Sequence, residues 1–226
     1  MLYAFGDSFT FGQGMPDIGN LNAGTPEQTS KYVWPEHLAK LLNTEVENNS
    51  HGGASILYIT KLFLDNYHKM KSGDIVYVLW TFFERWSILN PDDENFPVIN
   101  LLPNMPRGEG QPLYKEYLPF TNTAHNIEIF CMLSNLIATM CKLKGVFFYQ
   151  RLLDRLDIRD FKKHKPEWYN LYVPRNAVSI VHGKQERINK VTGLQIDRLP
   201  DHHSNPDTHI YWANIMYREI LRSVSH

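Results

Sequence analysis

Leu2-Tyr3-Ala4-Phe5-Gly6-Asp7-Ser8-Phe9-Thr10 sets the pattern for the rest of the chain. Leu2 to Phe5 is a short apolar run that reads as a strand, and Gly6-Asp7-Ser8 ends it. A serine just past a strand and preceded by glycine can have its hydroxyl lifted clear of a sheet. It can also lie at a turn or helix start, where free backbone N–H groups point outward. Such donors suit a developing oxyanion. The same tripeptide also reads as a turn in which Asp7 or Ser8 bonds local backbone.

Downstream, strands and helices alternate. Residues from Phe9 to Ser30 are rich in Gly, Pro, Asn and Thr and read as a long loop. Trp34-Pro35 opens a helix with Leu38, Leu41 and Leu42 on one face. Thr44 to Asn48 is a second strand, and Ser55 to Met70 a second helix with Ile56, Ile59, Phe63 and Tyr67 at helical spacing. After the turn Ser72-Gly73-Asp74, the near-continuous apolar run Ile75 to Trp80 suits a strand covered on both faces. From about Asn90 to Thr121 six prolines and no period mark an irregular insertion. Thr123 to Leu143 is a long helix and Val146 to Tyr149 a fourth strand. The mixed charge from Arg151 to Lys165 reads as a solvated helical face or a surface for an anionic partner. Val178 to Val181 is a short apolar segment near the core. Asn205 caps a last helix that has Pro206 in its first turn.

This alternation predicts an α/β layered fold with a mostly parallel sheet, in one domain spanning residues 1–226. Active sites of such sheets lie beyond the C-terminal strand ends. Gly6-Asp7-Ser8, Gly52-Gly53 and Trp80-Thr81 are therefore expected at one edge.

The 226 residues are 43% hydrophobic and 21% charged, which excludes a disordered polar chain. With 23 basic and 24 acidic residues, the net charge of −1 argues against a nucleic-acid binder driven by bulk charge. Cys131 and Cys141 are ten residues apart along one predicted helix, roughly 15 Å at 1.5 Å per residue and too far for a bridge. Two buried thiols in a reducing compartment are expected. No basic n-region or long apolar h-region follows Met1, and no apolar run approaches the roughly 20 residues that cross a bilayer. The chain is expected to be soluble and cytoplasmic, bacterial or phage-encoded, without a membrane span.

Three stretches carry chemistry. Beyond Ser8, the segment Asn48-Asn49-Ser50-His51-Gly52-Gly53-Ala54-Ser55 puts a glycine pair between strand and helix. Backbone there can approach a ligand closely, or simply turn before a capped helix. There is no GxGxxG or GxxxxGK[ST], so a nucleotide site is not indicated. Asp201-His202-His203-Ser204-Asn205-Pro206-Asp207-Thr208-His209 brings carboxylates and imidazoles together before the last helix. A nucleophilic serine needs a base of near-neutral pKa, and that histidine needs a carboxylate to fix its tautomer. The same cluster can be read as metal ligands, though it matches no HExxH-type signature. It can also be read as a polar loop and helix start in which Asp207 favours the dipole.

Taken together, these pieces resemble the SGNH hydrolases, the GDSL-type esterases and lipases. The likeness starts with Gly6-Asp7-Ser8 after an N-terminal strand and continues through Trp34-Pro35-Glu36-His37-Leu38-Ala39-Lys40-Leu41-Leu42. It includes Asn48 to Ser55, with Gly53 as the second-block glycine, and ends at Asp201 and His203 before a final helix. The resemblance implies a flavodoxin-like three-layer α/β/α sandwich. It implies Ser8 as nucleophile, His203 as general base and Asp201 as its orienting partner, with the N–H groups of Ser8 and Gly53 in the oxyanion hole. No metal or organic cofactor is implied.

The third block departs from the pattern. A Gly-x-Asn-Asp sequence usually follows the apolar strand, and its Asn completes the oxyanion hole. Here the sequence is Leu79-Trp80-Thr81-Phe82-Phe83-Glu84-Arg85, with Phe82 at the Asn position. Losing one oxyanion donor costs about 10²–10³ in rate. Thr81 is the first candidate substitute and Arg85 the second. Asp7, His51, Trp80, Phe82 and Arg85 are candidate substrate contacts. In the last block, Asp201-x-His203 matches the family spacing, with Ser204 in place of the usual Pro, and Asp207-x-His209 is the alternative pair.

The expected activity is hydrolysis of a small acyl ester, with O-acetyl groups on a carbohydrate first in line. A lysophospholipid or thioester substrate is the runner-up. A glycan-binding module that keeps the cleft without turnover is the rival from another class. The oligomeric state is not legible.

Overall fold

The computed structural model describes residues 1–18, 28–83, 85–89, 98–101, 123–153, 187–188, 195–196 and 204–224. Four parallel strands form the central sheet: β1 (Leu2–Gly6), β2 (Val46–Ser50), β3 (Ile75–Trp80) and β6 (Phe147–Leu152). Their order is β2-β1-β3-β6. The register pairs Leu2 with both Val46 and Ile75, and Ile75 with Phe147. The chain runs outward from β1 to β2 and then to the other side from β1 to β3. This reversal is the switch point of a flavodoxin-like sheet.

Strand periodicity sorts the side chains into two cores. Tyr3 and Phe5 of β1 and Val76, Val78 and Trp80 of β3 face one layer. There they meet Ile56, Ile59 and Phe63 of α3 (Ile56–Asn66) and Ile127, Phe130, Cys131 and Ile137 of α4 (Thr123–Lys144). Leu2, Ala4, Tyr77 and Leu79 face the other layer, against Trp34 and Leu38 of α2 (Trp34–Leu42) and Trp212, Ala213 and Met216 of α5 (Pro206–Val224). The predicted three-layer α/β/α sandwich is the fold of the described residues.

Several boundaries differ from expectation. The predicted loop after Phe9 opens with a one-turn helix, α1 (Ser8–Phe11), capped by Asp7 and closed by Gly12 in the left-handed region. The second strand starts at Val46 rather than Thr44, because Asn43 takes a left-handed turn at the end of α2. Part of the proline-rich stretch is regular: β5 (Val98–Leu101) pairs antiparallel with β4 (Trp86–Leu89), which lies just before the stretch. The rest of that stretch, the charged segment from residue 154 on and Val178 to Val181 lie outside the described residues. Two further short strands, β7 (Arg187–Ile188) and β8 (Gln195–Ile196), pair antiparallel.

Arg151 is not on a solvated face. β6 extends to Leu152, and the buried Arg151 Nε donates to Glu219 Oε2 at 3.0 Å and to Tyr77 Oη at 3.1 Å. The Tyr77 hydroxyl in turn donates to the same Glu219 oxygen at 2.8 Å. Burial, then the Glu219 charge, holds the Tyr77 phenol well above its ordinary pKa, so it stays neutral here, accepting from Arg151 and donating to Glu219. This pairing pins α5 to the sheet.

One helix, α4, bears on the expected absence of a membrane span. Among the described residues, its stretch His125–Lys144 is long and apolar enough to cross a membrane by length and composition. Its inner face, including both cysteines, packs in the core. Burial pushes the Cys131 and Cys141 thiols up to about 12, Glu128 adding to the effect at Cys131.

Candidate active site

The site starts at Gly6, where β1 turns sharply into α1. A Cβ on Gly6 would lie 2.0 Å from Thr10 Oγ1 and 3.1 Å from the Leu79 carbonyl oxygen. Only glycine lets the strand end fold back so closely. The next residue, Asp7, has extended backbone and is fully buried, and its Oδ1 accepts from Phe9 N–H at 3.1 Å. That satisfies one orphan donor of α1. It also puts Ser8 at the first helical position, 2% exposed, at the C-terminal end of β1.

Asp7 uses its other oxygen across the switch point. Oδ2 accepts from Thr81 Oγ1 at 2.7 Å and from Arg85 Nη1 at 2.6 Å. One carboxylate therefore ties the end of β1, the first turn of α1 and the segment after β3 into a single unit. Arg85 also stacks over Phe82, its guanidinium carbon 5.0 Å from the ring centroid. Phe82 in turn meets Phe9 edge-on at 6.3 Å.

This geometry revises three sequence expectations. The one proton of the Thr81 hydroxyl goes to Asp7, so Thr81 is not poised as an oxyanion donor. Asp7 is not a substrate contact, because it is fully buried and both of its oxygens are used inside the protein. Trp80 is not one either. It faces the α3–α4 core, where its indole N–H donates to Gln150 Oε1 at 2.7 Å and Phe130 meets its ring edge-on at 5.4 Å. Period-two alternation dictates this, since Trp80 follows Val76 and Val78 onto the same face.

The glycine pair follows β2 at the same edge. Gly6 lies opposite Ser50, and His51 N–H donates to the Gly6 carbonyl at 3.3 Å. Gly53 has φ of +75°, a conformation that favours glycine. His51 is half-buried, its Nδ1 2.8 Å from the Gly52 carbonyl and its ring edge-on to Tyr58 at 5.2 Å. Ser8, Gly53 and Thr81 thus belong to three strand ends on one side of the sheet. Asp201, His202 and His203 lie outside the described residues.

The alternative histidine has a structural place. His209 is 1% exposed, and its Nδ1 accepts from Trp34 N–H at 3.1 Å. It thereby caps α2, where Val33 supplies no side-chain cap. A triad base needs its Nδ1–H held by a carboxylate and its Nε2 turned to serine. With Nδ1 accepting a backbone donor, Asp207 cannot orient His209 in that way.

Sequence reasoning missed the Asp7 hub. The signal was present, since Asp immediately before a helical turn is an N-cap pattern. The partnership with Arg85, 78 residues away, had no local mark.

No protein-family model matches the sequence, and no curated protein matches it. Solved structures do match. An acetyl xylan esterase from the rumen bacterium Butyrivibrio proteoclasticus superposes with a TM-score of 0.54 at 13% identity, over 99% of this chain and 64% of that one. This chain shares the α/β/α fold of that esterase. It spans about two thirds of that esterase's length. A protein assigned to the G-D-S-L lipolytic family from Desulfitobacterium hafniense DCB-2 aligns with a TM-score of 0.48 at 13% identity, over 96% and 97% of the two chains. A carbohydrate esterase described as having divergent catalytic and non-catalytic binding functions gives 0.49 at 12%, over 97% and 67%.

Proposed function

We propose that this chain is a serine esterase acting on a small acyl ester, with O-acetyl groups on a carbohydrate as the first substrate class. The observation that carries the reading is Ser8 at the first helical position beyond β1, at the switch point, set there by the buried Asp7 cap. The acetyl xylan esterase that shares the fold supports a carbohydrate ester.

In this mechanism Ser8 Oγ attacks the ester carbonyl as His203 takes its proton, with Asp201 orienting the imidazole. The oxyanion forms against the backbone N–H groups of Ser8 and Gly53. His203 then protonates the leaving alkoxide, and water repeats the sequence to release the acid. Thr81 and Arg85 are positioning residues, acting on Ser8 through Asp7. Phe82 at the third-block position leaves the hole short of a side-chain amide, so turnover is expected to be slow beside an enzyme with the full set.

That shortage favours a second reading, a glycan-binding module on the same cleft. A fluorophosphonate probe separates the two. An activated Ser8 is labelled in the native protein and not after denaturation or in Ser8→Ala. Absence of labelling, together with saturable binding of acetylated xylan oligomers, would favour the binding module.

A further inference from the structure

The outer face of α4 is apolar where a surface helix is usually polar. Phe130, Cys131, Ile137 and Cys141 pack inward, while Met132, Leu136 and Leu143 are 63%, 42% and 82% exposed. At 3.6 residues per turn these three lie within about 40° of one another around the helix, so they form a stripe. Asn135 and Thr139, both exposed, lie beside it. Leu57 of α3, also exposed, carries the stripe across to the neighbouring helix, where it shares a surface depression with Ile129. Single exposed apolar residues are ordinary, but an aligned patch marks an interaction surface. Two opposite charges bound the stripe. Glu128 and Lys142 lie seven residues before and after Asn135, about 10 Å along the axis in each direction. By the same helical count they fall on the same flank, within about 40° of each other.

We propose that this face docks on its own counterpart in a second copy of the chain, the two α4 helices running antiparallel about a two-fold axis at Asn135. Such an axis sets residues equally far before and after it against each other. Glu128 of each copy then faces Lys142 of the other, and the contact is made twice. Met132 and Leu136 fill the middle, and Leu143 reaches the Leu57 end of the other copy. A parallel pair would set Glu128 on Glu128 and Lys142 on Lys142, so charge selects the antiparallel one. A lipid surface suits the face less well. Helices that lie in a membrane interface are rich in Lys and Arg, whereas this face offers Lys142 alone, offset by Glu128. The patch is one helix and the edge of another, at the small end of specific interfaces, so affinity on the order of micromolar is expected.

Sedimentation velocity of the full chain, over concentrations spanning the micromolar range, tests it, with melting curves to show that each variant is folded. The wild type is expected to pass from one copy to two. Leu136→Glu, which sets an unpaired charge in the middle of the contact, is expected to weaken the dimer at least roughly tenfold. Glu128→Lys and Lys142→Glu each put like charges face to face, and each is expected to self-associate roughly threefold more weakly or worse. Mixed in equal amounts, these two variants are expected to pair with each other, because both opposite-charge contacts are restored. Damage to the fold in either one would not produce that rescue. A wild-type chain that stays single at every concentration would overturn the proposal. If that single chain floats with phosphatidylserine vesicles, the face belongs to lipid instead. A dimer unmoved by Leu136→Glu, or two charge variants that fail to pair when mixed, would also overturn it. Should Glu128→Lys fail to fold, Lys142→Glu alone carries the test of register, since Lys142 is exposed; a dimer of unchanged affinity would overturn the antiparallel pairing.

Discussion

Asp7 does the most with one side chain. It caps α1 through Oδ1 and holds Thr81 and Arg85 through Oδ2. Breaking a buried ion pair from one side costs about 3–5 kcal/mol, since the remaining charge stays buried. Arg85→Leu is therefore expected to lower the thermal midpoint and the esterase rate together. Asp7→Asn in the same chain restores part of the stability, as a double-mutant thermal melt would show. Thr81→Val removes one hydrogen bond to a charged group, worth about 1.5–3 kcal/mol in stability. Its rate is expected to fall less than about tenfold, against the 10²–10³ of a lost oxyanion donor. A kcat loss at the upper figure with an unchanged melting temperature would return Thr81 to the oxyanion hole. At Gly6 the expectation is steric: Gly6→Ala drives its Cβ into Thr10, and Thr10→Ala gives little relief, because the Thr10 Cβ is itself only 2.6 Å away. Expression and circular dichroism of both variants check this.

At the scale of elements, α5 is held by a local cap at its start and by partners distant in sequence near its end. α5 starts three residues after His203, so its seating bears on the proposed base. Asn205 Oδ1 accepts from Thr208 N–H at 2.9 Å and from the Thr208 hydroxyl at 2.6 Å. Asn205→Ala is expected to cost about 1 kcal/mol of stability, the usual worth of such a cap, read by chemical denaturation. The Tyr77–Arg151–Glu219 group pins the far end of the same helix. These elements were only partly legible in the sequence. Ile75 to Trp80 and Trp34 to Leu42 declare themselves through period and a proline start, and Asn205-Pro206 through its cap. β5 was hidden in the proline-rich stretch, because an antiparallel strand is defined by its partner, here β4 just before that stretch. Arg151 looked like a surface charge because the acid that neutralises it is 68 residues away. Within the site, Ser8 and Gly53 stood out by position after strands.

For the whole molecule, two sets of titratable groups make the fold sensitive in opposite ways to its surroundings. The cysteine thiols, raised to about 12 by burial, stay protonated and inaccessible at neutral pH. Iodoacetamide is expected to leave the native protein unlabelled and to label both thiols after unfolding, as intact mass would show. His37 behaves differently. Burial, then Lys40, lowers its pKa from the ordinary value. The unfolded chain thus binds the proton more readily than the folded one. The contribution of His37 is fully present above its unfolded pKa of about 6.5 and is lost as pH falls through its lower folded value. Stability should fall on acidification below about pH 6.5, and His37→Gln should flatten that part of the curve.

Everything in the proposed reaction turns on Ser8 as an activated nucleophile at the switch point of this sheet. The direct measurement is hydrolysis of para-nitrophenyl acetate by the wild-type protein and by Ser8→Ala, with melting curves to show that both are folded. Turnover is expected in the wild type, with a fall to the uncatalysed background in Ser8→Ala. Equal rates in the two folded proteins would contradict it.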